Sequence, residues 1–319
     1  PLRAVLDAIE AFFEGLASVE WRFLGLAVVF HLLKLFAVAR SWRNILAAAY
    51  PNARVRGRTI FGAYAAGVGV NAVLPVRSGD AMKLYLAKRG IDGATYATLT
   101  STLFVQTLFD FAVATALLAW AASLGVLPGL DLLPDLPSLD FSWAFDHPRL
   151  ALLLAGILVA VGGIAALWLV DHARSFRQRF AQGLAVLREP RVYLRRVLPW
   201  QVADWTFRLV TIYCFLRAFA LDTTLENALL VQVTQSLATV LPFSPGGIGT
   251  EQALVVYVFR GDVPASALLS FSVGMKLTII AANVVVGFGA IAIMLRRLPW
   301  RRIRMEDDVA EAEPEPRPS

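Results

Sequence analysis

Long apolar segments are the feature that most restricts how this chain can fold. A helix needs about 20 apolar residues to cross the roughly 30 Å hydrocarbon core, where the backbone must satisfy its own hydrogen bonds. The chain is 57% hydrophobic and 17% charged, whereas soluble domains have about 25% charged residues. The sequence therefore predicts an all-α, polytopic membrane protein. The apolar segments are Val19–Ala39, Ile60–Leu74, Ala94–Leu124, Leu150–Val170, Leu198–Leu221, Asn227–Leu241 and Pro264–Leu295.

Two of these segments share a phrase at their ends. Ile60–Leu74 leads into AVLPVRSGD at 72–80, and Asn227–Leu241 leads into TVLPFSPGGIGTE at 239–251. Both segments are short for a span, so we interpret them as re-entrant helices broken by Pro and Gly. Paired broken segments in two halves of a membrane protein point to a transport site. The alternative is two ordinary spans, which would reverse part of the topology.

The positions of Lys and Arg predict the orientation. The positive-inside rule places loops rich in these residues in the cytoplasm. By this rule the first re-entrant segment starts and ends on the cytoplasmic side, and the second starts and ends outside. Each half then consists of a span, a re-entrant segment and a long span, and the two halves have opposite orientations in the membrane. This arrangement predicts an inverted-repeat helical bundle. The basic stretches lie within residues 40–58, 83–89, 174–196 and 296–304.

The same pattern predicts the domain organisation. An amphipathic or interfacial segment precedes one membrane domain, and a basic and then acidic, disordered tail follows it in the cytoplasm. The host membrane is predicted to be the cytoplasmic (inner) membrane. The predicted limits are 1–18 for the first segment, 19–295 for the membrane domain, about 19–124 and 198–295 for its inverted halves, and 296–319 for the tail.

The broken helices contain the candidate binding groups. A helix that restarts after a break presents free N–H groups, which attract anions. Arg77 lies in the first break and can hold a phosphate bidentately, and Glu251 in the second half mirrors Asp80. The alternative is that the Pro-Gly turns only cap short helices and that Arg77 pairs with Asp80 or Glu251.

Ionisable residues inside apolar segments add further candidates, because such residues are rare and often functional. We predict an ion pair between Asp110 and Lys276, and a neutralising pair between Asp204 and Arg208. Lys34 and Arg217 are interpreted as residues that snorkel to an interface. The complete set of predicted substrate-binding residues is Asn71, Arg77, Gly79, Asp80, Lys83, Asp110, Pro245, Gly246, Gly247, Gly249, Glu251 and Lys276.

The sequence offers few signs of enzymatic chemistry. His31, His147 and His172 are far apart, and no nucleotide-binding fingerprint follows a strand. We therefore predict no enzyme, no catalytic residue, no metal and no cofactor. The predicted partner is a membrane lipid and not nucleic acid, and a homodimer is left open.

At the two Leu-Pro motifs the chain resembles the flippase-like membrane domain of lysylphosphatidylglycerol synthases, the multiple peptide resistance factor type, and its free-standing relatives. Residues 71–80 and 242–251 carry the resemblance, which extends over about residues 19–295. It implies a helical domain that moves a phospholipid or another lipid between leaflets. Where many members carry Glu-Arg ahead of an Asp, this chain has Gln106 and Thr107 before Asp110, so the identity of the lipid is not implied. No soluble aminoacyl-transfer domain is expected, so this chain alone should not make lysyl-lipid.

Three functions follow from these observations. The first is translocation of an amphipathic lipid across the cytoplasmic membrane. The second is modification of a lipid head group, for which Asp80 and Asp110 are the candidate acid–base pair. The third is a non-transporting role, in which basic loops recruit an enzyme of lipid or envelope synthesis.

Overall fold

The computed structural model describes residues 19–74, 78–124, 178–240, 249–260 and 263–297. Regular structure in these ranges is helical, which confirms the predicted all-α membrane fold. The helices are α1 (Trp21–Ala49), α2 (Gly57–Val73), α3 (Ser78–Gly90), α4 (Tyr96–Ser123), α5 (Ala185–Arg188), α6 (Pro190–Val192), α7 (Leu198–Ala218), α8 (Leu225–Val240), α9 (Thr250–Val258) and α10 (Ala265–Arg297).

Three helices of the described part are long and apolar enough to cross a bilayer. They are α1, α4 and the stretch Ala265–Met294 of α10. A π turn at Tyr193–Val197 joins α6 to α7. The predicted apolar segment Leu150–Val170, the N-terminal segment and nearly all of the tail lie outside the described residues, so those predictions are untested.

Helices α1 and α7 form an antiparallel pair at the centre of the bundle. The Glu20 amide donates to the Ala218 carbonyl at 2.9 Å, which joins the start of α1 to the end of α7. Further along, the rings of Phe30 and Phe207 lie 6.1 Å apart, and those of Phe36 and Trp200 lie 5.9 Å apart. The middle of α1, at Phe36, is therefore level with the first turn of α7, at Trp200, and Phe207 in the middle of α7 is level with Phe30.

Helices α2 and α3 form a tight antiparallel hairpin, called here the first hairpin. A Cβ added to Gly79 would overlap the carbonyl of Gly67, so the two helix backbones touch at this point. On the other face of α2, Gly69 lies against Gly287 of α10 with equally little space. Small residues allow membrane helices to approach this closely. The sequence folds this way locally because glycines occur where the helices cross.

Helices α8 and α9 form the second hairpin. They share a buried apolar cluster that includes Val231, Val255 and Phe271. Gly249 precedes α9 with φ +89°, a left-handed conformation that glycine adopts at little cost. The loop between the helices, at 241–248, lies outside the described residues.

The two hairpins open at opposite ends of the bundle. The first opens where α1 ends and α7 begins, because the Thr95 amide donates to Tyr50 and the Asn44 side chain donates to the Arg196 carbonyl. The second opens at the other end, where the rings of Phe219 and Phe271 meet at 5.9 Å. The described parts of all four Lys/Arg-rich stretches fall at the first end, called here the basic end. This agrees with the predicted opposite entry of the two segments. The repeat relation between the halves stays a prediction.

Candidate functional site

A polar cavity of about 760 Å³ lies at mid-length of the bundle and is called here the central cavity. The tips of both hairpins contribute to its wall, together with α1, α4, α7 and α10. A concave polar site inside an otherwise apolar helical bundle is the usual place for a ligand. Its polar lining residues are Lys34, Asn71, Thr107, Asp110, Trp205, Arg208, Gln232, Gln235, Ser236, Glu251, Lys276 and Asn283.

Three charged residues of this cavity lie near the middle of their helices. Lys34, Asp110 and Arg208 are at the midpoints of α1, α4 and α7. At 1.5 Å per residue, Lys34 has roughly 20 Å of helix on either side. Charges at such depth are costly unless they face water or a partner, and they commonly mark transport pathways.

Glu251 is the centre of a buried polar cluster at the tip of the second hairpin. Its carboxylate is 5% exposed and accepts from Lys276 Nζ at 2.8 Å and from Gln235 Nε2 at 3.0 Å. It also lies in the first turn of α9, where the helix dipole favours a negative charge. One carboxylate therefore joins α8, α9 and α10 across the cavity wall.

A second polar cluster belongs to α4 and α7. Trp205 Nε1 donates to Asp110 Oδ1 at 2.9 Å, and Arg208 stacks 4.6 Å from the centre of the Trp205 ring. Arg208 Nη2 donates to Asp204 Oδ2 at 3.2 Å, which confirms the predicted pair. The predicted pair between Asp110 and Lys276 is wrong, because Glu251 holds the ammonium and the indole of Trp205 holds Asp110.

Lys34 differs from the other cations of the cavity. It makes no hydrogen bond or ion pair with any described residue. The prediction that it snorkels is wrong, because its side chain lines the cavity from the middle of α1 and is far too short to reach an interface. Lys34, Arg208 and Lys276 are balanced by Asp110, Asp204 and Glu251, so the formal charges of these described residues cancel.

At the tip of the first hairpin, Asn71 lines the cavity and also holds the turn. Its Oδ1 accepts from the Gly79 amide at 2.8 Å. The prediction that Gly79 offers a free donor is therefore wrong. Asp80 and Lys83 pair with each other at 3.1 Å, and Lys83 Nζ lies 5.3 Å from the ring centre of Tyr64. Neither member of this pair lines the central cavity.

The second hairpin likewise leaves fewer free donors than predicted. The Gly249 amide donates to Gln252 Oε1 at 2.7 Å, so the prediction of a free donor at this glycine is also wrong. Of the predicted residues, Asn71, Asp110, Glu251 and Lys276 meet at the cavity, whereas Gly79, Asp80, Lys83 and Gly249 do not line it. The predicted residues Arg77, Pro245, Gly246 and Gly247 lie outside the described part of the chain.

Sequence reasoning missed several residues that line the cavity. Lys34 was interpreted as reaching an interface, and Arg208 was interpreted as the structural partner of Asp204. The other missed lining residues were not chosen as binding residues. The available signal was a polar residue in the middle of an apolar segment. It would have selected Lys34, Trp205, Arg208, Gln232, Gln235 and Asn283.

Comparison with known proteins agrees with this architecture. The family model for the lysylphosphatidylglycerol synthase TM region matches residues 4–287. The match takes in both hairpins and every element that lines the central cavity. No curated protein and no solved structure matches the chain. The family match shows a multi-pass membrane protein, and the chain belongs to the family of lysylphosphatidylglycerol synthase TM regions.

Proposed function

We propose that this protein moves a phospholipid or another amphipathic lipid across the cytoplasmic membrane by passing its polar head through the central cavity. One observation carries the proposal: two hairpins that open at opposite ends place their tips against the same mid-depth cavity. Broken or re-entrant elements that meet at the middle of the membrane are typical of transporters with alternating access. Membership in the lysylphosphatidylglycerol synthase TM family supports a lipid substrate.

The lining residues fit a charged lipid head. Lys34 offers an ammonium that no described carboxylate neutralises directly, and the Arg208 guanidinium faces the same space. Both suit a phosphate oxygen. Asp110, whose carboxylate is held by an indole and not by a cation, suits an amine or hydroxyl of the head group. The acyl tails remain in the bilayer, so the cavity shields only the polar part.

The topology indicates how the cavity could open to each side of the membrane. We place the basic end in the cytoplasm by the positive-inside rule. The hairpins then enter from opposite leaflets, and movement of the second hairpin against the first would expose the cavity to each side in turn. Moving one elementary charge is worth about 2.3 kcal/mol per 100 mV, so a membrane potential can bias the movement of a charged head.

The test is a proteoliposome assay with fluorescent phospholipids and an impermeant quencher. The purified chain should make inner-leaflet lipid accessible to the quencher. Lys34→Met and Glu251→Gln should each slow this movement by at least about tenfold, the effect of adding about 1.4 kcal/mol to the barrier for passage of the head. Arg191→Gln is the matched control, because it removes one exposed charge that does not line the cavity.

Each alternative function has its own outcome in this assay. Equal movement in all variants, or none in the wild type, would overturn the proposal. A chemically altered head group without movement would favour a lipid-modifying enzyme. A lipid- or envelope-synthesis enzyme that co-purifies stoichiometrically, without movement or altered lipid, would favour a recruiting partner.

A further inference from the structure

A second and larger cavity, of about 1440 Å³, lies at the basic end and is called here the basic cavity. It shares no lining residue with the central cavity. Its cations come from the end of α1, the α1–α2 connection, the start of α2, the end of α3 and the turn before α7. They are Arg43, Arg54, Arg56, Arg58, Arg89 and Arg196.

Among the described residues, no acidic side chain compensates the charge of this cavity. None of its lining residues is acidic. Except for Arg43, the side chains of these arginines are exposed, and none of the six makes an ion pair with a described residue. Arg43 Nε donates to the Val55 carbonyl at 3.2 Å and so fixes the connection that carries the others. The positive-inside rule explains why these arginines share a side of the membrane, but it does not explain why they line one cavity.

The opposite wall of the basic cavity is apolar. It is formed by α2 and by the last turns of α10, including Val285 and Ile293, which are 73% and 56% exposed. Gly289 lines the cavity, and a Cβ placed on it would meet nothing within 4 Å, so open space remains beside α10 at this point, called here the groove. A soluble anion makes no use of such a wall, whereas a lipid tail packs against it. The cavity thus combines a cationic rim with a hydrocarbon-facing groove.

We propose that the basic cavity binds a membrane lipid that carries two phosphate groups, with its head among the arginines and its tails along α10. One phosphodiester has only two free oxygens with which to contact the cluster of guanidiniums, whereas a lipid with two phosphates has four and can contact arginines on more than one side of the cavity. Basic pockets between membrane helices on the cytoplasmic side are suited to such head groups. The site is separate from the proposed translocation path, so binding here does not depend on the proposed function.

The experiment measures lipid retained by the purified full chain, using native mass spectrometry and thermal unfolding. The probe is cardiolipin, and the comparison is phosphatidylglycerol at equal total charge. We expect cardiolipin to bind at least about tenfold more tightly than phosphatidylglycerol. The triple variant Arg56→Gln, Arg58→Gln and Arg89→Gln should lose at least about tenfold of that affinity, given roughly 1 kcal/mol per basic residue near an anionic lipid.

The matched control is Arg188→Gln, Arg191→Gln and Arg195→Gln, which removes the same charge from exposed residues outside the basic cavity. It should retain cardiolipin. A second variant, Gly289→Phe, fills the groove without changing charge, so it should weaken cardiolipin binding while leaving any binding of inorganic diphosphate unchanged. This variant tests the proposal even if the triple arginine variant fails to fold.

Three results would overturn the proposal. Equal affinity for phosphatidylglycerol at matched charge would show a general attraction to anionic membranes. Equal losses of cardiolipin affinity in the two triple variants would also show a general attraction to anionic membranes. Binding of inorganic diphosphate as tight as that of cardiolipin, and unaffected by Gly289→Phe, would show a site for a free anion.

Discussion

The two hairpins have a similar outline but are held together by different forces. The first is closed by backbone contact, with Gly67 against Gly79 and the polar group of Asn71 engaged by the turn. In the second, side chains bridge the helices through Glu251, which Gln235 and Lys276 hold at the edge of the cavity. Close backbone packing resists motion, whereas a polar cluster beside a cavity can exchange partners with a ligand. From this comparison we predict a scaffold role for the first hairpin and a binding role for the second.

The largest effect on stability is expected from Glu251→Ala. It removes the 2.8 Å ion pair with Lys276 and the acceptor of Gln235, and the expected cost is about 3 kcal/mol, the lower end of the range for a buried pair, because the Lys276 side chain is 27% exposed. Thermal unfolding of the purified protein measures the loss, and the proteoliposome assay should show lipid movement abolished. Glu226→Gln, at an exposed acid in the first turn of α8, is the matched control and should change neither.

A second substitution separates stability from transport in this variant. Adding Lys276→Met to Glu251→Ala removes the cation whose ion pair with Glu251 is lost, and it should restore part of the lost stability but no lipid movement. If Glu251→Ala unfolds like the wild type, the polar cluster does not hold the second hairpin and the contrast between the hairpins fails.

The next effect concerns the backbone contact of the first hairpin. Gly79→Ala places a methyl group against the Gly67 carbonyl, and overpacking of this kind costs about 1–3 kcal/mol. The unfolding midpoint should fall accordingly. Gly25→Ala is the matched control, because a Cβ there meets nothing within 4 Å. A harmless Gly79→Ala would mean that the first hairpin is loose, which would remove its role as a scaffold.

A smaller effect is expected from Asn71→Ala. This change leaves the Gly79 amide without its 2.8 Å acceptor, and an unsatisfied backbone donor costs about 1–3 kcal/mol, less where water from the cavity can replace the acceptor. We expect a loss near 1 kcal/mol by thermal unfolding. Asn71→Asp keeps an acceptor and should unfold close to the wild type. If both variants lose the same stability, the contribution of Asn71 is not this hydrogen bond.

The sequence allowed the helical class, the opposite entry of the two short segments and four cavity residues to be predicted. Hydropathy and the Lys/Arg pattern depend only on local composition, so they predict elements and ends well. Asn71 and Glu251 were found because each lies beside a Pro-Gly break. The pairing of Glu251 with Lys276 was not predicted, because this contact depends on how α9 crosses α10.

The same limit explains the wrong predictions. Gly79 and Gly249 were expected to offer free amides, yet Asn71 and Gln252 fold back onto them. A break in a helix frees donors only where no nearby side chain competes for them. Asp110 and Lys276 were paired only because their positions in the sequence indicate similar depths in the membrane. Which side chains meet also depends on the rotation of each helix about its axis. The inferred depth carries no information on that rotation.

The smallest effect on stability, with a large effect on function, is expected from Lys34→Met. Lys34 belongs to neither hairpin and makes no described ion pair, so replacing its ammonium with an apolar chain of similar length breaks no contact that holds the fold. The unfolding midpoint should change little, because the cost of holding an ammonium at mid-depth without a direct partner is removed together with its balancing of the cavity carboxylates. Movement of phospholipids should nevertheless fall in the proteoliposome assay. Lys34→Arg keeps the charge and should retain most of it. If Lys34→Met instead unfolds as readily as Glu251→Ala, then Lys34 stabilises the fold. In that case α1 does not follow the separation between residues that stabilise the fold and residues that bind the lipid.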